Sequence, residues 1–251
     1  MTTFFHRPKA VLLAALALLA GIAGTVGIAA ATSNGSPGAK AAAKPIRLDD
    51  ATMIIEVNST DRDAGLQVFL DGEPWSQMAL FAPDGRKILN VDATGRLNRF
   101  GLTELFSESH EPEFSELPLR TFKQRFPAGR YRFRGTTVEG RRLVGNARFS
   151  HDTPAGPEIT SPAAGATVPE ASVVASWNRG PQPVGVEIVG YRAIVERENP
   201  LRVFNADLPA SVNSVTIPAE FLERGTKYKL EVQAIEKSGN QTISEITFTV
   251  S

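Results

Sequence analysis

Apolar side chains recur at every second position in many short runs of this sequence, and turn-forming residues separate the runs. Met53, Ile55 and Val57 form one run, and Leu66 and Val68 begin the next. Because side chains alternate between the two faces of an extended strand, each run predicts a strand with one buried face. Short strands divided by turns are typical of β-sandwiches, so we predict an all-β fold built from two tandem sandwich domains.

The composition limits how such a chain is stabilised and what it does. The 251 residues include no cysteine, and 27 basic residues balance 27 acidic ones. The lack of cysteine excludes disulfides, cysteine-ligated zinc and a thiol nucleophile, so stability must come from the hydrophobic cores. A formal net charge of zero argues against nucleic-acid binding, which requires a basic excess or a strongly basic face.

The N-terminal segment predicts export. A basic start is followed by an apolar stretch and by small residues that end at Ala31. Residues 1–31 are predicted to be a signal peptide cleaved near Ala31, or a retained anchor that contacts the membrane through residues 10–31. Both interpretations make the protein secreted, periplasmic or attached to the cell surface. Residues 32–45, rich in Gly, Ala, Ser and Pro, are predicted to be a flexible linker.

Residues 157–251 carry a more specific pattern. Trp177 lies on an early strand, GYRAIV runs from Gly190 to Val195, and FLERGTKYKLEV runs from Phe221 to Val232. This combination resembles a fibronectin type III domain. The resemblance implies a two-sheet sandwich in which Leu222 and Tyr228 form a tyrosine corner, with the phenol hydroxyl bonded to backbone upstream. Because this sandwich supports many unrelated functions, the resemblance implies little about function.

Residues 46–152 predict a divergent immunoglobulin-like sandwich of no named family, with a short helix at 117–126. Tyr131 follows Gly129-Arg130 and opens a strand, so we predict a second tyrosine corner there. Residues 153–156 are predicted to be a hinge between the domains. Turns are expected at Asp71-Gly72, at Pro83-Asp84-Gly85 and at Glu139-Gly140.

No catalytic residue is assigned, because the sequence carries no nucleophile elbow, zinc-protease motif or phosphate-binding loop. A pair of carboxylates in a cleft has no local motif, so a glycosidase is not excluded by the sequence alone. We predict that the chain is not an enzyme and that it requires no cofactor.

Three aspartates are the candidate metal ligands. Asp61, Asp63 and Asp71 offer the oxygen ligands that calcium prefers. The alternative, which we favour, is that Asp61 and Asp63 cap a turn between two strands. We therefore predict no bound metal.

A run of arginines is the candidate ligand-binding surface. The arginines alternate with Tyr131 and Phe133, so burial of those rings would place the arginines outward, beside two more on the partner strand. Guanidinium groups form bidentate pairs with phosphate and carboxylate groups, which suits an anionic ligand. The alternative, which we favour, is internal pairing with Glu104, Glu108, Glu111, Glu113 and Glu116 in a loop. The arginine face consists of Arg130, Arg132, Arg134, Arg142 and Arg148.

Taken together, these features predict an exported, monomeric, non-catalytic module for binding, adhesion or spacing. Its expected partner is an extracellular or envelope protein or a glycan. The alternative is an accessory or carbohydrate-binding subunit of an extracellular enzyme system.

Overall fold

The computed structural model describes residues 44–171 and 173–251. The predicted signal or anchor at 1–31 and nearly all of the predicted linker lie outside the described residues. Two short α-helices, α1 (Leu97–Phe100) and α2 (Leu119–Arg125), accompany the strands. The strands are β1 (Ile46–Arg47), β2 (Asp50–Asn58), β3 (Asp63–Phe81), β4 (Lys87–Asp92), β5 (Leu102–Glu108), β6 (Gly129–Thr137), β7 (Arg142–Phe149), β8 (Glu158–Ser161), β9 (Thr167–Val168), β10 (Val173–Asn178), β11 (Ile188–Arg197), β12 (Arg202–Pro209), β13 (Ser214–Ile217), β14 (Lys227–Glu236) and β15 (Gln241–Val250).

Strands β1 to β7, the N-terminal half, form a continuous series of backbone-paired strands around one core. The first part of β3 pairs with β2 and β5, and its last part pairs with β4 and β6. β6 then pairs with β7, and β7 pairs with β1 in parallel. β1 and β2, which lie at the two ends of this series, are joined by only two residues of the chain.

The long strand β3 replaces a predicted turn. Asp71-Gly72 was expected to separate two strands, but both residues lie inside β3, so that prediction is wrong. The pairing register with β5 shifts between Asp71 and Trp75, and Leu70 and Trp75 are both fully buried. The strand therefore bends here and supplies its two parts to two different sets of partners. The predicted turns at Pro83-Asp84-Gly85 and Glu139-Gly140 are confirmed.

The predicted helix at 117–126 is confirmed as α2, and Phe122 is its buried contact with the core. Pro118 precedes the helix as its N-cap. Neither α1 nor β5 was predicted. Glu104 and Glu108 were expected in a loop, but they lie on β5, where the sequence lacks a clean alternation of apolar residues.

Strands β8 to β15, the C-terminal half, form a second sandwich. One sheet has the order β13-β10-β8, and the other contains β12-β11-β14-β15. The predicted alternating runs fall on β10, β11, β13, β14 and β15. The alternation of Val189 with Tyr191, Ala193 and Val195 predicts that Val189 faces the core, but the register shifts between Ile188 and Gly190, so Ile188 is buried and Val189 is 48% exposed.

The two halves keep separate hydrophobic cores but share one sheet. β15 pairs in parallel with β2, so that Gln241 lies opposite Glu56 and Ile243 opposite Asn58. Thr242 also donates a hydrogen bond from its hydroxyl to the carbonyl oxygen of Pro154, at 2.6 Å. The all-β sandwich fold is thus confirmed. The domain boundaries, the hinge and the immunoglobulin-like assignment of residues 46–152 stay predictions.

No helix among the described residues is long and apolar enough to cross a membrane.

Candidate ligand-binding groove and arginine face

The β6–β7 hairpin places the arginine face on its solvent side. Tyr131 and Phe133 point into the core, with 0% and 1% of their surface exposed. Arg130, Arg132 and Arg134, which alternate with these two rings, are exposed because side chains alternate across the strand. The register sets Arg130 directly opposite Arg148, and Arg142 opposite Thr136. Two guanidinium groups are therefore neighbours across the strand pair, where like charges repel.

The expected glutamate partners do not neutralise this face. Within the described residues, no carboxylate forms an ion pair within 4 Å of any arginine of the face. Glu104 and Glu108 lie on β5, which pairs with the first part of β3, whereas the hairpin pairs with the last part. Arg134 instead lies over the Phe81 ring, 5.2 Å from its centroid. The ion pairs of the described residues therefore do not include the internal pairing that we favoured from the sequence.

A groove of about 1170 Å³ adjoins the arginine face. Its walls are the outer part of β7 and the segment that leads from β1 into β2. Arg130 and Arg148 belong to the groove, so one edge of the arginine face is also part of its lining. His151 also lines the groove and is held by a 2.8 Å hydrogen bond between Nε2 and the carbonyl oxygen of Phe126. The other charged lining residues are Arg47, Asp49, Asp50 and Asp152.

Both predicted tyrosine corners have the expected hydrogen bonds. The Tyr131 hydroxyl donates to the carbonyl oxygen of Pro127 at 3.1 Å, and burial raises the pKa of this phenol to about 12. The Tyr228 hydroxyl donates to the carbonyl oxygen of Phe221 at 3.3 Å and accepts from the backbone N–H of Glu223 at 2.8 Å. Each bond ties a strand to the loop that precedes it.

Trp177 and Leu222 lie where the fibronectin resemblance places them, in the C-terminal core. Both are almost fully buried, with 1% and 4% of their surface exposed. The Trp177 ring contacts Tyr191, with the ring centroids 5.5 Å apart. These residues support the sandwich and do not line the groove.

The three candidate calcium ligands do not come together. Asp63 and Asp71 lie eight residues apart on the extended strand β3, a separation of about 26 Å at roughly 3.3 Å per residue. The turn between β2 and β3 is capped by Asn58, whose side-chain oxygen accepts hydrogen bonds from the backbone of Thr60 and Asp61. Asn58 therefore caps this turn, and capping by Asp61 and Asp63 stays a prediction.

A carboxylate cluster that the sequence did not indicate lies beside the junction of the two halves. One oxygen from each of Glu56, Glu108 and Glu111 lies within 4.8 Å of the others, a spacing that suits a cation or a shared proton. Glu56 also accepts hydrogen bonds from the amides of Gln67, at 2.9 Å, and Gln241. Because Glu56 lies on β2, far along the chain from Glu108 and Glu111, no local motif could reveal the cluster.

The buried position of Glu56 controls its protonation. Its pKa is raised from 4.5 to about 8, mainly by desolvation and then by the charges of Glu111 and Glu108, while the Gln241 hydrogen bond opposes the rise. Only 8% of the Glu56 surface is exposed. At neutral pH this residue therefore holds a proton, which relieves the repulsion within the cluster.

A second buried acid lies on β14. Glu231 is 4% exposed, and burial raises its pKa while Lys229, 2.6 Å away, opposes the rise. The lysine neutralises this group, so it is a structural ion pair within the sheet.

Similar proteins are found among solved structures only. No family model and no curated protein matches this chain. Among solved structures, it is similar to an engineered protein, with 16% identity over 42% of this chain and a TM-score of 0.31; the match spans only 21% of that protein. It is also similar to the fn3 domain of the human collagen alpha-1(XX) chain, with 22% identity over 39% of this chain and 83% of that one and a TM-score of 0.29. A two-domain fibronectin type III segment of chicken tenascin covers 80% of this chain and 96% of its own, with 10% identity and a TM-score of 0.28.

Proposed function

We propose that this chain is a non-catalytic binding module that works outside the cytoplasm and recognises an anionic partner. The arginine face and the adjoining groove form its binding surface. The location outside the cytoplasm rests on the N-terminal sequence alone.

The observation that carries this proposal is the lack of internal counter-charge on the arginine face. Arg130 and Arg148 lie opposite each other across the hairpin, both are exposed, and neither has a carboxylate partner among the described residues. Paired carboxylate or phosphate oxygens on a ligand would relieve their repulsion and accept bidentate hydrogen bonds. The groove beside them provides the concave surface that a ligand requires.

The C-terminal half acts as a support and spacer in this proposal. Its fibronectin-like features, the buried Trp177 and the Tyr228 corner, stabilise a sandwich. Its last strand, β15, pairs with β2, and β2 belongs to the same half as the groove. The pairing supports a fixed presentation of the binding surface.

A second candidate function is glycan recognition by an accessory subunit. It is favoured by the mixed lining of the groove, in which Asp49, Asn146 and Arg47 offer both hydrogen-bond acceptors and donors for sugar hydroxyls. A glycan array separates the two candidates. Specific binding of neutral sugars favours this second function, and binding restricted to anionic ligands favours the first.

The test of the first candidate uses polyglutamate as an anionic probe and the full chain as the receptor. We expect salt-sensitive binding that falls at least fivefold in the Arg130→Gln/Arg148→Gln variant. The matched control is Arg86→Gln/Arg224→Gln, which removes the same charge from two exposed arginines that lie outside the groove lining and pair with Asp84 and Glu170. Equal binding by both double variants would contradict the proposal.

A further inference from the structure

The outer edge of β7 is paired along only part of its length. β1 lies beside the start of β7, with Ile46 opposite Leu143 and Arg47 opposite Val144. The carbonyl oxygen of Val144 accepts from the backbone N–H of Leu48 at 2.9 Å, so the peptide groups of Val144 point away from β6 and towards β1. Because this direction alternates along a strand, the peptide groups of Asn146 and Arg148 also point outward.

The segment that follows β1 leaves the edge of β7 within one residue. After Leu48 bonds to β7, the backbone N–H of Asp49 bonds instead to the carbonyl oxygen of Asp71 on β3, at 2.9 Å. The next contact beyond the open stretch is at Ser150, whose carbonyl oxygen accepts from the Asn240 side chain. Between these points, the outward backbone groups of Asn146 and Arg148 have no hydrogen-bond partner among the described residues.

This open stretch belongs to the wall of the groove that residues 144–152 line. We propose that an extended peptide from a partner protein adds to β7 here as a further strand. The proposal rests on the proposed function, because it uses the same surface, and it names the partner class. Backbone bonds to Asn146 and Arg148 would provide affinity, and alternating side chains would provide specificity.

The charges around the edge define which peptide fits. Side chains of an added strand alternate between the two faces of the sheet, so every second one lies on the face that carries Arg148 and Arg130. Acidic residues at those positions meet the guanidinium groups. The remaining positions face the side of β7 where Leu48 and Ala51 approach Gly145, which suits small apolar residues.

A polymer that is anionic on all sides fits less well. Asp49, Asp50 and Asp152 also line the groove and would repel charges directed towards them. The pattern that fits both walls is a strand with carboxylates on one face only. The partner is therefore an extended segment in which acidic and small apolar residues alternate.

The test uses an acetylated and amidated eight-residue peptide in which Glu and Ala alternate, with the full chain as receptor. Asn146→Pro removes the outward N–H and obstructs the edge, while the bonds to β6 remain, since proline is tolerated on an edge strand when its N–H would face solvent. Asn146→Ala is the matched control, because it removes the same side chain and keeps the N–H. We expect at least tenfold weaker peptide binding by Asn146→Pro and near-unchanged binding by Asn146→Ala.

A second measurement does not depend on the folding of any variant. In the wild-type chain, bound peptide should slow hydrogen exchange at the amides of Asn146 and Arg148. No slowing at these amides would overturn the proposed strand addition. The strand proposal would also be overturned if Asn146→Pro left peptide binding unchanged while Arg130→Gln/Arg148→Gln abolished it. That result would still support the anionic binding surface. A peptide and polyglutamate that both fail to bind would overturn the strand proposal and the proposed function together.

Discussion

At the scale of single residues, the clearest consequence of burial is the proton on Glu56. The folded state raises the pKa of this carboxyl from 4.5 to about 8, so the folded chain retains a proton that the unfolded chain has released. The stabilisation is complete below about pH 4.5 and is lost progressively as the pH rises towards 8. Above that value the folded state carries a buried, charged carboxylate.

Replacement of Glu56 by glutamine should remove this pH dependence. The amide resembles the protonated acid, so it avoids the cost of charge and remains polar towards Gln67 and Gln241. Urea unfolding between pH 4.5 and 8.5 should show that the variant gains stability over the wild type as the pH rises. The exposed Glu139→Gln is the control and should follow the wild type. A constant difference between Glu56→Gln and wild type across this range would refute the assignment.

Tyr228→Phe tests the tyrosine corner. It removes one hydrogen bond to Phe221 and leaves the backbone N–H of Glu223 without its acceptor. We expect the free energy of unfolding to fall by about 1 kcal/mol or somewhat more. Thermal unfolding checks this, with Tyr191→Phe as the control, because Tyr191 packs against Trp177 and its hydroxyl takes no part in the corner. An equal loss in both variants would mean that the corner bond is not the cause.

At the scale of secondary structure, prediction succeeded where a strand depends on its own neighbours in sequence. Alternating runs located β2, β10 and β14 because one buried face is visible in the order of the residues. Prediction failed where contacts between residues far apart in the sequence determine the structure. β5 has no clean alternation and is held by its pairing with β3, and the bend of β3 at Asp71 depends on partners far along the chain.

The candidate site follows the same rule. The outward alternation of Arg130, Arg132 and Arg134 is local, and it was predicted. Their lack of carboxylate partners, the open edge of β7 and the Glu56 cluster depend on which strands become neighbours. The sequence of one segment does not show which other segments will lie beside it in the fold.

Gly135 provides a test of the β3–β6 pairing. A Cβ at this position would lie 2.6 Å from the carbonyl oxygen of Gln77 and 2.6 Å from the Met78 Cε. Because one obstacle is backbone, Gly135→Ala should force the strands apart and lower the melting temperature by several degrees. The neighbouring exposed Arg134→Ala should change it little. A Gly135→Ala variant as stable as wild type would argue against this close approach.

At the scale of the whole molecule, Asn240 joins the two halves. Its side-chain oxygen accepts from the backbone N–H of Ile55 at 2.8 Å, and its nitrogen donates to the carbonyl oxygens of Ser150 and Asp152, at 3.2 and 2.9 Å. Only 1% of its surface is exposed, so no water replaces these bonds easily. One side chain on the turn before β15 thus satisfies backbone groups of β2 and of the segment that follows β7.

Asn240→Ala should weaken the coupling between the halves as well as the overall stability. Each core contains one tryptophan, Trp75 or Trp177, so single-tryptophan variants report each half separately. In the parent variants we expect the two fluorescence transitions to coincide in urea. With Asn240→Ala they should separate, and the loss should exceed the ~1 kcal/mol of one hydrogen bond because three backbone partners are left unsatisfied. Coincident, unshifted transitions would show that Asn240 does not couple the cores.

The pairing of β2 with β15 also has a consequence for synthesis. The ribosome completes β2 roughly 180 residues before it reaches β15. The edge of β2 that pairs with β15 therefore stays unpaired while the residues between them are made. An exposed strand edge is a template for pairing with the wrong chain. A nascent chain of this protein is thus most dependent on a chaperone after β2 has been made and before β15 is available. Pairing of β15 with β2 then covers the exposed edge.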